Sequence, residues 1–315
     1  MVARNTQKEH RFIDTKSLMA IRNLELRARA VMEGFWHGLH RSPFHGFSVE
    51  FTEYRVYTPG DDLRYLDWKL LARTDRYYLK KFEDETNVRC HLVVDNSRSM
   101  QFTSLDYTKA DFAGTLAATL ACFLNRQGDA TGLLLFDEAI RDYLPARNRP
   151  GHLRQLMMAL ERAPEGKGTD LVKPLERIAA LIRKRGVVVL ISDLLAPIDG
   201  LQKELTMLKS AGHELIVFQT LDPAEISFEF DEAMLFRDLE TNRDIYVDPA
   251  AAREGYSEKL KEHQEKITAL CRNLGIDFHV VPTDTRMDLM LLEFLKDRHR
   301  RMPLNLRNVQ RPGAV

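Results

Sequence analysis

The stretch Leu92-Val93-Val94-Asp95-Asn96-Ser97-Arg98-Ser99-Met100 sets the architecture expected for this chain. A short apolar run that ends in a polar Asp-x-Ser-x-Ser turn is typical of a buried strand in a parallel sheet. Asp95 then lies at the carboxyl end of that strand, with the Ser97 and Ser99 hydroxyls on the loop beyond it, and ligands bind at this edge in open α/β sheets. These oxygens suit Mg²⁺ or Mn²⁺ but are too few to enclose the ion. A metal held here is expected to take its last ligand from a partner.

Helix capping is the competing interpretation of the same residues. Ser and Asp side chains commonly cap helices, and for this loop alone capping is favoured over metal binding. The choice between the two therefore depends on what the rest of the chain brings to the same edge.

Length, composition and charge limit the function classes. The chain has 315 residues, of which 44% are hydrophobic and 29% charged, which is typical of a soluble globular protein. It has 46 basic and 46 acidic residues, so bulk electrostatics gives no reason to expect nucleic acid or an anionic membrane as a partner. Cys90, Cys122 and Cys271 form no CxxC pair and are expected to be reduced thiols. With no signal peptide or membrane-spanning segment visible, we expect a cytoplasmic protein without direct membrane insertion.

From residue 88 onward, apolar strands alternate with amphipathic helices. This alternation predicts an α/β fold with a doubly wound, mostly parallel sheet. We expect an N-terminal extension with a helix and strands at 1–87, the α/β domain at 88–302 and a loosely ordered tail at 303–315. A small β-hairpin is expected as an insertion at about 226–248.

Two local patterns place helices more closely. Apolar positions at helical spacing predict one helix over 15–32, followed by an irregular loop over 34–46. The sequence Thr103-Ser104-Leu105-Asp106 resembles a capping box and predicts a helix from there to about Arg126.

Two further loops are expected at the edge that carries Asp95. The segment Glu165-Gly166-Lys167-Gly168-Thr169 precedes a predicted helix and offers the Thr169 hydroxyl, and Asp193 follows the strand expected over 187–192. Two carboxylates and three hydroxyls can position one octahedral Mg²⁺ or Mn²⁺, with water completing the shell. Because hydroxyls are weak ligands, the ion is expected to stay electrophilic and accept an external carboxylate. The three loops together favour metal binding over capping.

Asp95, Ser97, Ser99, Thr169 and Asp193 match the five positions of a known site. In type and order they resemble the metal-ion-dependent adhesion site of the von Willebrand factor A fold, which is itself Rossmann-like. The resemblance implies that Ser97, Ser99 and, depending on state, Thr169 contact the ion directly. It also implies that Asp95 and Asp193 often act through water.

The N-terminal part carries a second resemblance. The run from Tyr57 to Trp68 (YTPGDDLRYLDW), followed by Ala72-Arg73, resembles the signature of a prokaryotic family of unknown function with a von Willebrand A-like half. Asp238-Leu239-Glu240-Thr241 and Asp248-Pro249 are similar to it as well. Members of that family resemble adaptors encoded beside MoxR-type AAA+ ATPases. Some carry transmembrane helices, whereas none is visible here, which argues against an assignment to the cell envelope.

The resemblance implies a metal-dependent adaptor for protein–protein interaction, with no chemistry of its own. Its partner would be a MoxR-type AAA+ ATPase, or a client protein that supplies an Asp or Glu, in the assembly or remodelling of protein complexes. The alternative is an Mg-dependent phosphohydrolase at the same ion, which needs a nucleophile or general base that the sequence does not identify. A scaffold with a vestigial metal site is the third hypothesis.

Overall fold

The computed structural model describes residues 14–41, 54–56, 78–80, 88–162, 171–230, 234–237 and 244–301. Three sequence-based predictions lie outside these ranges: the position of Thr169, the structure of the 57–73 signature, and the state of the tail at 303–315. The boundary proposed between residues 87 and 88 stays a prediction.

The described strands form one large sheet and two small ribbons. They are β1 (Tyr54–Val56), β2 (Tyr78–Lys80), β3 (Arg89–Asp95), β4 (Ala130–Phe136), β5 (Ile140–Arg147), β6 (Val187–Ser192), β7 (Glu214–Leu221), β8 (Met234–Arg237), β9 (Asp244–Val247) and β10 (Asp277–Pro282). The large sheet has the order β10-β7-β6-β3-β4-β5, and its neighbours are parallel except β4 and β5. The predicted doubly wound, mostly parallel sheet is therefore confirmed. The direction of winding reverses at β3, because the chain next adds β4 on one side and later β6 on the other.

Helices cover both faces of this sheet. They are α1 (Thr15–Met19), α2 (Leu24–Arg41), α3 (Lys109–Arg126), α4 (His152–Leu160), α5 (Val172–Leu181), α6 (Ile198–Ser210), α7 (Pro223–Ser227), α8 (Pro249–Leu274) and α9 (Met287–Arg301). Side chains alternate along a strand, so Leu92 and Val94 join the core beneath α2, α3, α4 and α9, while Val93 joins the core beneath α5, α6 and α8. In the part of the chain that the structure describes, no helix has the length and apolar character needed to cross a bilayer.

One of the small ribbons agrees with the predicted inserted hairpin, and the other agrees with the strands expected in the N-terminal extension. β8 and β9 pair antiparallel within the expected insertion, and β1 pairs antiparallel with β2 in the N-terminal region. β5 follows β4 as a hairpin through Asp137, whose Oδ1 accepts a hydrogen bond from the Ala139 amide at 3.0 Å.

The helix predicted over 15–32 is wrong, because the chain forms two helices there. Asp14 caps α1 by accepting from the Ser17 amide at 2.7 Å, and Asn23 accepts from the Leu26 amide at 2.9 Å where α2 begins. The loop predicted over 34–46 is also wrong for residues 34–41, because α2 continues to Arg41. A Cβ at Gly34 would lie 3.1 Å from Asp288 Oδ2, so the glycine allows α2 to approach α9 closely.

The predicted start of the helix after β3 is wrong by five residues. α3 begins at Lys109, where Thr108 and Asp111 form the capping box. In the predicted box, Thr103 Oγ1 instead accepts from the Leu105 amide at 2.8 Å, and the Ser104 amide donates to Asp222 at 2.9 Å. A partner from another loop therefore keeps this segment out of the helix.

Gly132 marks a place where the edge strand β5 comes unusually near β4. A Cβ there would lie 2.7 Å from the Ala146 amide nitrogen and 2.9 Å from the Leu144 carbonyl oxygen, beside an irregularity in the β4–β5 register. We expect Gly132→Ala to lower the free energy of unfolding by about 1–3 kcal/mol, because backbone atoms must move. Urea denaturation measures the change.

Gly114→Ala is the matched control for Gly132→Ala. Gly114 lies inside α3, and a Cβ there meets nothing within 4 Å. Alanine in a helix interior is favoured over glycine by about 1 kcal/mol, so this variant is expected to gain stability. Equal losses in both variants would contradict the assigned close approach at Gly132.

Candidate metal-binding site

The candidate site lies where the winding of the sheet reverses, between the carboxyl ends of β3 and β6. Asp95 is the last residue of β3. Ser192 is the last residue of β6, and Asp193 follows it directly. The ends of these parallel strands meet at one edge, which is the crevice that open α/β sheets use for ligands. The structure therefore brings the first and third predicted loops together, as expected from their order in the sequence. Thr169, on the second loop, lies outside the described residues.

Asp95 is completely buried, and both of its oxygens are engaged. Oδ1 accepts from the Ser97 amide at 2.9 Å, and Oδ2 accepts from the Ser192 hydroxyl at 2.6 Å. The Ser97 and Ser99 hydroxyls lie 3.1 Å apart, so the two predicted ligand oxygens converge beside this carboxylate. Ser192 was absent from the predicted site, although its position next to Asp193 was visible in the sequence.

The capping alternative does not describe the serine hydroxyls. Ser97 precedes the 3₁₀ turn Arg98–Gln101, but its side chain makes no capping hydrogen bond. The following helix α3 is capped by Thr108 instead. The Ser97 and Ser99 hydroxyls instead hydrogen-bond to each other at 3.1 Å.

Asp193 belongs to a loop held in a strained conformation. Its Oδ2 accepts from the Lys109 ammonium at 2.9 Å, while Oδ1 accepts from the Leu195 amide at the longer distance of 3.3 Å. Leu194 has a φ of 53°, a left-handed conformation that costs a non-glycine residue about 1–3 kcal/mol. The loop is retained by Gln219, which donates to the Asp193 carbonyl at 2.8 Å, and by His263, whose ring lies 2.8 Å from the Leu194 carbonyl oxygen.

Sequence reasoning missed two charged residues of the site, Lys109 and Glu225. Together with Asp95 and Asp193 they form what we call the ion cluster. Lys109 is fully buried and also donates to Glu225 Oε1 at 2.6 Å. Glu225 lies on α7, where its other oxygen accepts from the Asp222 amide at 2.9 Å. Each had a signal: a lysine in the first turn of a helix opposes the helix dipole, and Asp222-Pro223-Ala224-Glu225 has the pattern of a capping box.

The charges of the cluster perturb one another. Burial and the charge of Asp193 raise the pKa of Asp95 to about 7, although hydrogen bonds from Ser192 and Ser97 oppose the rise. Burial also raises the pKa of Glu225, with partial compensation by Lys109. For Lys109, burial lowers the pKa, but the charges of Asp193 and Glu225 outweigh that effect and raise it.

The residues present fit a divalent cation. The Lys109 ammonium pairs with Asp193 and Glu225, and Asp95 lies close enough to Asp193 to be affected by its charge, so these four groups have an excess of two negative charges when fully ionised. Within the described ranges no group of three or more His, Cys, Asp and Glu side chains is arranged as a metal centre. A metal would therefore depend on the hydroxyls of Ser97, Ser99 and Thr169 together with Asp95 and Asp193. Oxygen donors of this kind suit Mg²⁺ or Mn²⁺.

Comparisons with known proteins identify a family but no activity. A family model described as "Protein of unknown function DUF58" matches residues 53–266. The chain is similar to the uncharacterized protein Rv1480 of Mycobacterium tuberculosis (strain H37Rv), with 28% identity over 292 residues that cover 91% of each chain. The uncharacterized protein Mb1516 of Mycobacterium bovis has the same identity and coverage.

Two solved structures show weaker likeness. The conserved hypothetical protein BatB from Bacteroides thetaiotaomicron has a TM-score of 0.45 and 13% identity, and the match covers 68% of this chain and 99% of that one. An aerotolerance-related membrane protein from Bacteroides fragilis has a TM-score of 0.45 and 16% identity, with 66% and 99% covered.

Proposed function

Since this chain belongs to DUF58, a family described only as of unknown function, we propose from the geometry of its own site that it is a metal-dependent adaptor for protein–protein interaction. In this proposal Asp95, Ser97, Ser99, Thr169 and Asp193 hold Mg²⁺ or Mn²⁺, and a carboxylate from another protein completes the site. The adaptor performs no chemistry of its own.

One observation carries the proposal. Among the described residues no ammonium or guanidinium pairs with the buried Asp95, which lies close enough to Asp193 for the charge of that carboxylate to raise its pKa, and beside two converging hydroxyls. Burial of a carboxylate next to a like charge is costly. Such an arrangement is typical of functional sites. In this proposal a cation bound between the ends of β3 and β6 compensates the two carboxylates.

The contacts within the site suggest which residues would bind the ion directly and which would be held in place by their neighbours. Asp95 is oriented by Ser97 and Ser192, and Asp193 is oriented by Lys109, which leaves the Ser97 and Ser99 hydroxyls as direct ligands. When bound, the ion supplies an electrophilic position that accepts an external carboxylate. If the ligands in direct contact with the ion are neutral hydroxyls, its open position would favour an anionic group from a partner.

The same contacts favour binding over hydrolysis. Asp95 has no oxygen without a hydrogen-bond partner, and the Lys109 ammonium is held between two carboxylates. Among the described hydrogen-bond partners of Asp95, Asp193 and Lys109 there is no histidine or cysteine. A histidine base or a cysteine nucleophile for a phosphohydrolase is thus missing from these described contacts.

The partner proposed is a MoxR-type AAA+ ATPase, or a client protein brought to it, in the cytoplasm. This part of the proposal is supported by the resemblance of the Tyr57–Trp68 signature to the adaptor family. The chemical requirement on the partner is an accessible Asp or Glu.

Affinity capture with and without Mg²⁺ tests the proposal. Wild-type protein is expected to retain partners in Mg²⁺ that are lost in a chelator, and Asp95→Ala is expected to lose the same partners in both buffers. Asp142→Ala is the control, because this carboxylate lies on β5 and pairs with Arg162 at 2.8 Å, away from the loop cluster. Its partners are expected to match those of the wild type.

Two results would overturn the adaptor proposal. The first is a set of captured proteins that is the same with and without metal and in Asp95→Ala. The second is robust metal-dependent phosphatase or ATPase turnover by the purified protein that Asp95→Ala abolishes, which would establish the phosphohydrolase instead.

A further inference from the structure

Lys109 brings a full positive charge into the interior of the candidate site. Its ammonium donates to Asp193 Oδ2 at 2.9 Å and to Glu225 Oε1 at 2.6 Å, and the Phe102 ring centre lies 5.9 Å from Nζ. The side chain is completely buried. A buried ammonium is stable only when anions compensate it, so these two carboxylates are what holds Lys109 in place.

The same carboxylate pair connects the loops of the site. Glu225 Oε2 accepts from the Asp222 amide at 2.9 Å, and the Asp222 carboxylate accepts from the Ser104 amide at 2.9 Å. Lys109 therefore lies at the centre of a chain of contacts that runs from the loop after β6, through α7, to the loop after β3. A change in its bond to Asp193 acts on residues that also order the Asp95 loop.

We propose that Lys109 is an internal counter-cation that neutralises Asp193 in the metal-free protein and competes with the divalent ion for that carboxylate. The proposal rests on the proposed function, because it takes Asp193 as part of a metal site. Two cations that share one buried carboxylate repel each other strongly where little water screens them. Lys109 then sets the metal affinity without being a ligand.

Two substitutions are expected to change metal affinity in opposite directions. Lys109→Met removes the competing charge and leaves Asp193 and Glu225 uncompensated, so the dissociation constant for metal is expected to fall by about tenfold or more. Glu225→Gln removes the other anionic partner of Lys109, so the ammonium is attracted more strongly to Asp193. Its dissociation constant is expected to rise severalfold. A purely structural role for Lys109 predicts weaker binding in both variants.

Titration of the full chain with MnCl₂, with free Mn²⁺ measured by electron paramagnetic resonance, tests this directly. The measurement reports binding rather than activity. Lys16→Met is the control, because this lysine forms an exposed pair with Asp106 at 2.6 Å. Its dissociation constant is expected to equal that of the wild type. Circular dichroism establishes that each variant is folded, and Glu225→Gln tests the proposal separately if Lys109→Met does not fold.

The outcomes separate this inference from the proposed function. Tighter Mn²⁺ binding by Lys109→Met together with weaker binding by Glu225→Gln supports the counter-cation, and so does binding by Lys109→Met when the wild type binds none. Mn²⁺ binding by the wild type that Lys109→Met leaves equal or weakens overturns the counter-cation alone. Mn²⁺ binding by Glu225→Gln that is as tight as binding by the wild type, or tighter, overturns the counter-cation as well. Absence of Mn²⁺ binding from the wild type and from both folded variants overturns the metal site as well.

Discussion

Lys109→Met is expected to lower the free energy of unfolding of the metal-free protein by about 3–5 kcal/mol, because loss of one partner of a buried ion pair leaves an uncompensated charge inside the protein. Here two carboxylates lose their partner: Asp193 is buried and the Glu225 side chain is 13% exposed. Urea denaturation in the presence of a chelator measures the change. Part of the lost stability is expected to be recovered when Mn²⁺ is added, because the ion supplies the missing positive charge.

The control for this effect is again Lys16→Met. The Lys16–Asp106 pair is exposed to solvent, where water screens both charges, so no measurable loss is expected. A loss in Lys109→Met no larger than in this control would show that the buried ammonium does not stabilise the fold. The ion cluster would then be a poor description of the interior of the site.

Metal-free protein is expected to lose stability as the pH rises from about 4 to about 7, because of Asp95. The pKa of this carboxyl is raised from 3.8 to about 7 in the folded chain. Between these values the folded chain keeps a proton that the unfolded chain releases, so stability falls by about 1.4 kcal/mol per pH unit and the total is on the order of 4 kcal/mol. The loss is complete once the pH exceeds the folded-state value.

Comparison with Asp95→Asn isolates this contribution. Asparagine has no charge to lose, so between pH 5 and pH 8 the wild type is expected to lose about 3 kcal/mol relative to the variant. Parallel urea denaturation at the two pH values, in a chelator, gives the difference, and other titrating groups cancel. Parallel pH profiles would mean that burial and the charge of Asp193 do not raise the pKa of Asp95.

The helix after β3 shows where local pattern stops being sufficient. Thr103-x-x-Asp106 and Thr108-x-x-Asp111 have the same capping-box spacing, and only the second begins a helix. The difference comes from Asp222, 118 residues away from Ser104 in sequence, whose carboxylate accepts the Ser104 amide and hydroxyl. No window of local sequence contains that partner.

The ion cluster shows that local sequence patterns are also insufficient to predict the whole site. Asp95, Ser97, Ser99 and Asp193 were predicted because each follows an apolar strand or lies on the loop directly after one, and strand ends converge in a parallel sheet. Lys109 and Glu225 were missed because they come from the starts of two helices, α3 and α7. Their roles depend on how those helices pack.

Local pattern alone was enough for the alternation of strands and helices, the buried β3 strand and the edge at which the site would form. These follow from the period of apolar residues, which is set by backbone geometry and needs no knowledge of distant contacts. Packing decided where α3 begins and which cation neutralises Asp193. Each of those depends on a partner far away in sequence, and the energy of burying a charge or an amide is defined only once that partner is in place.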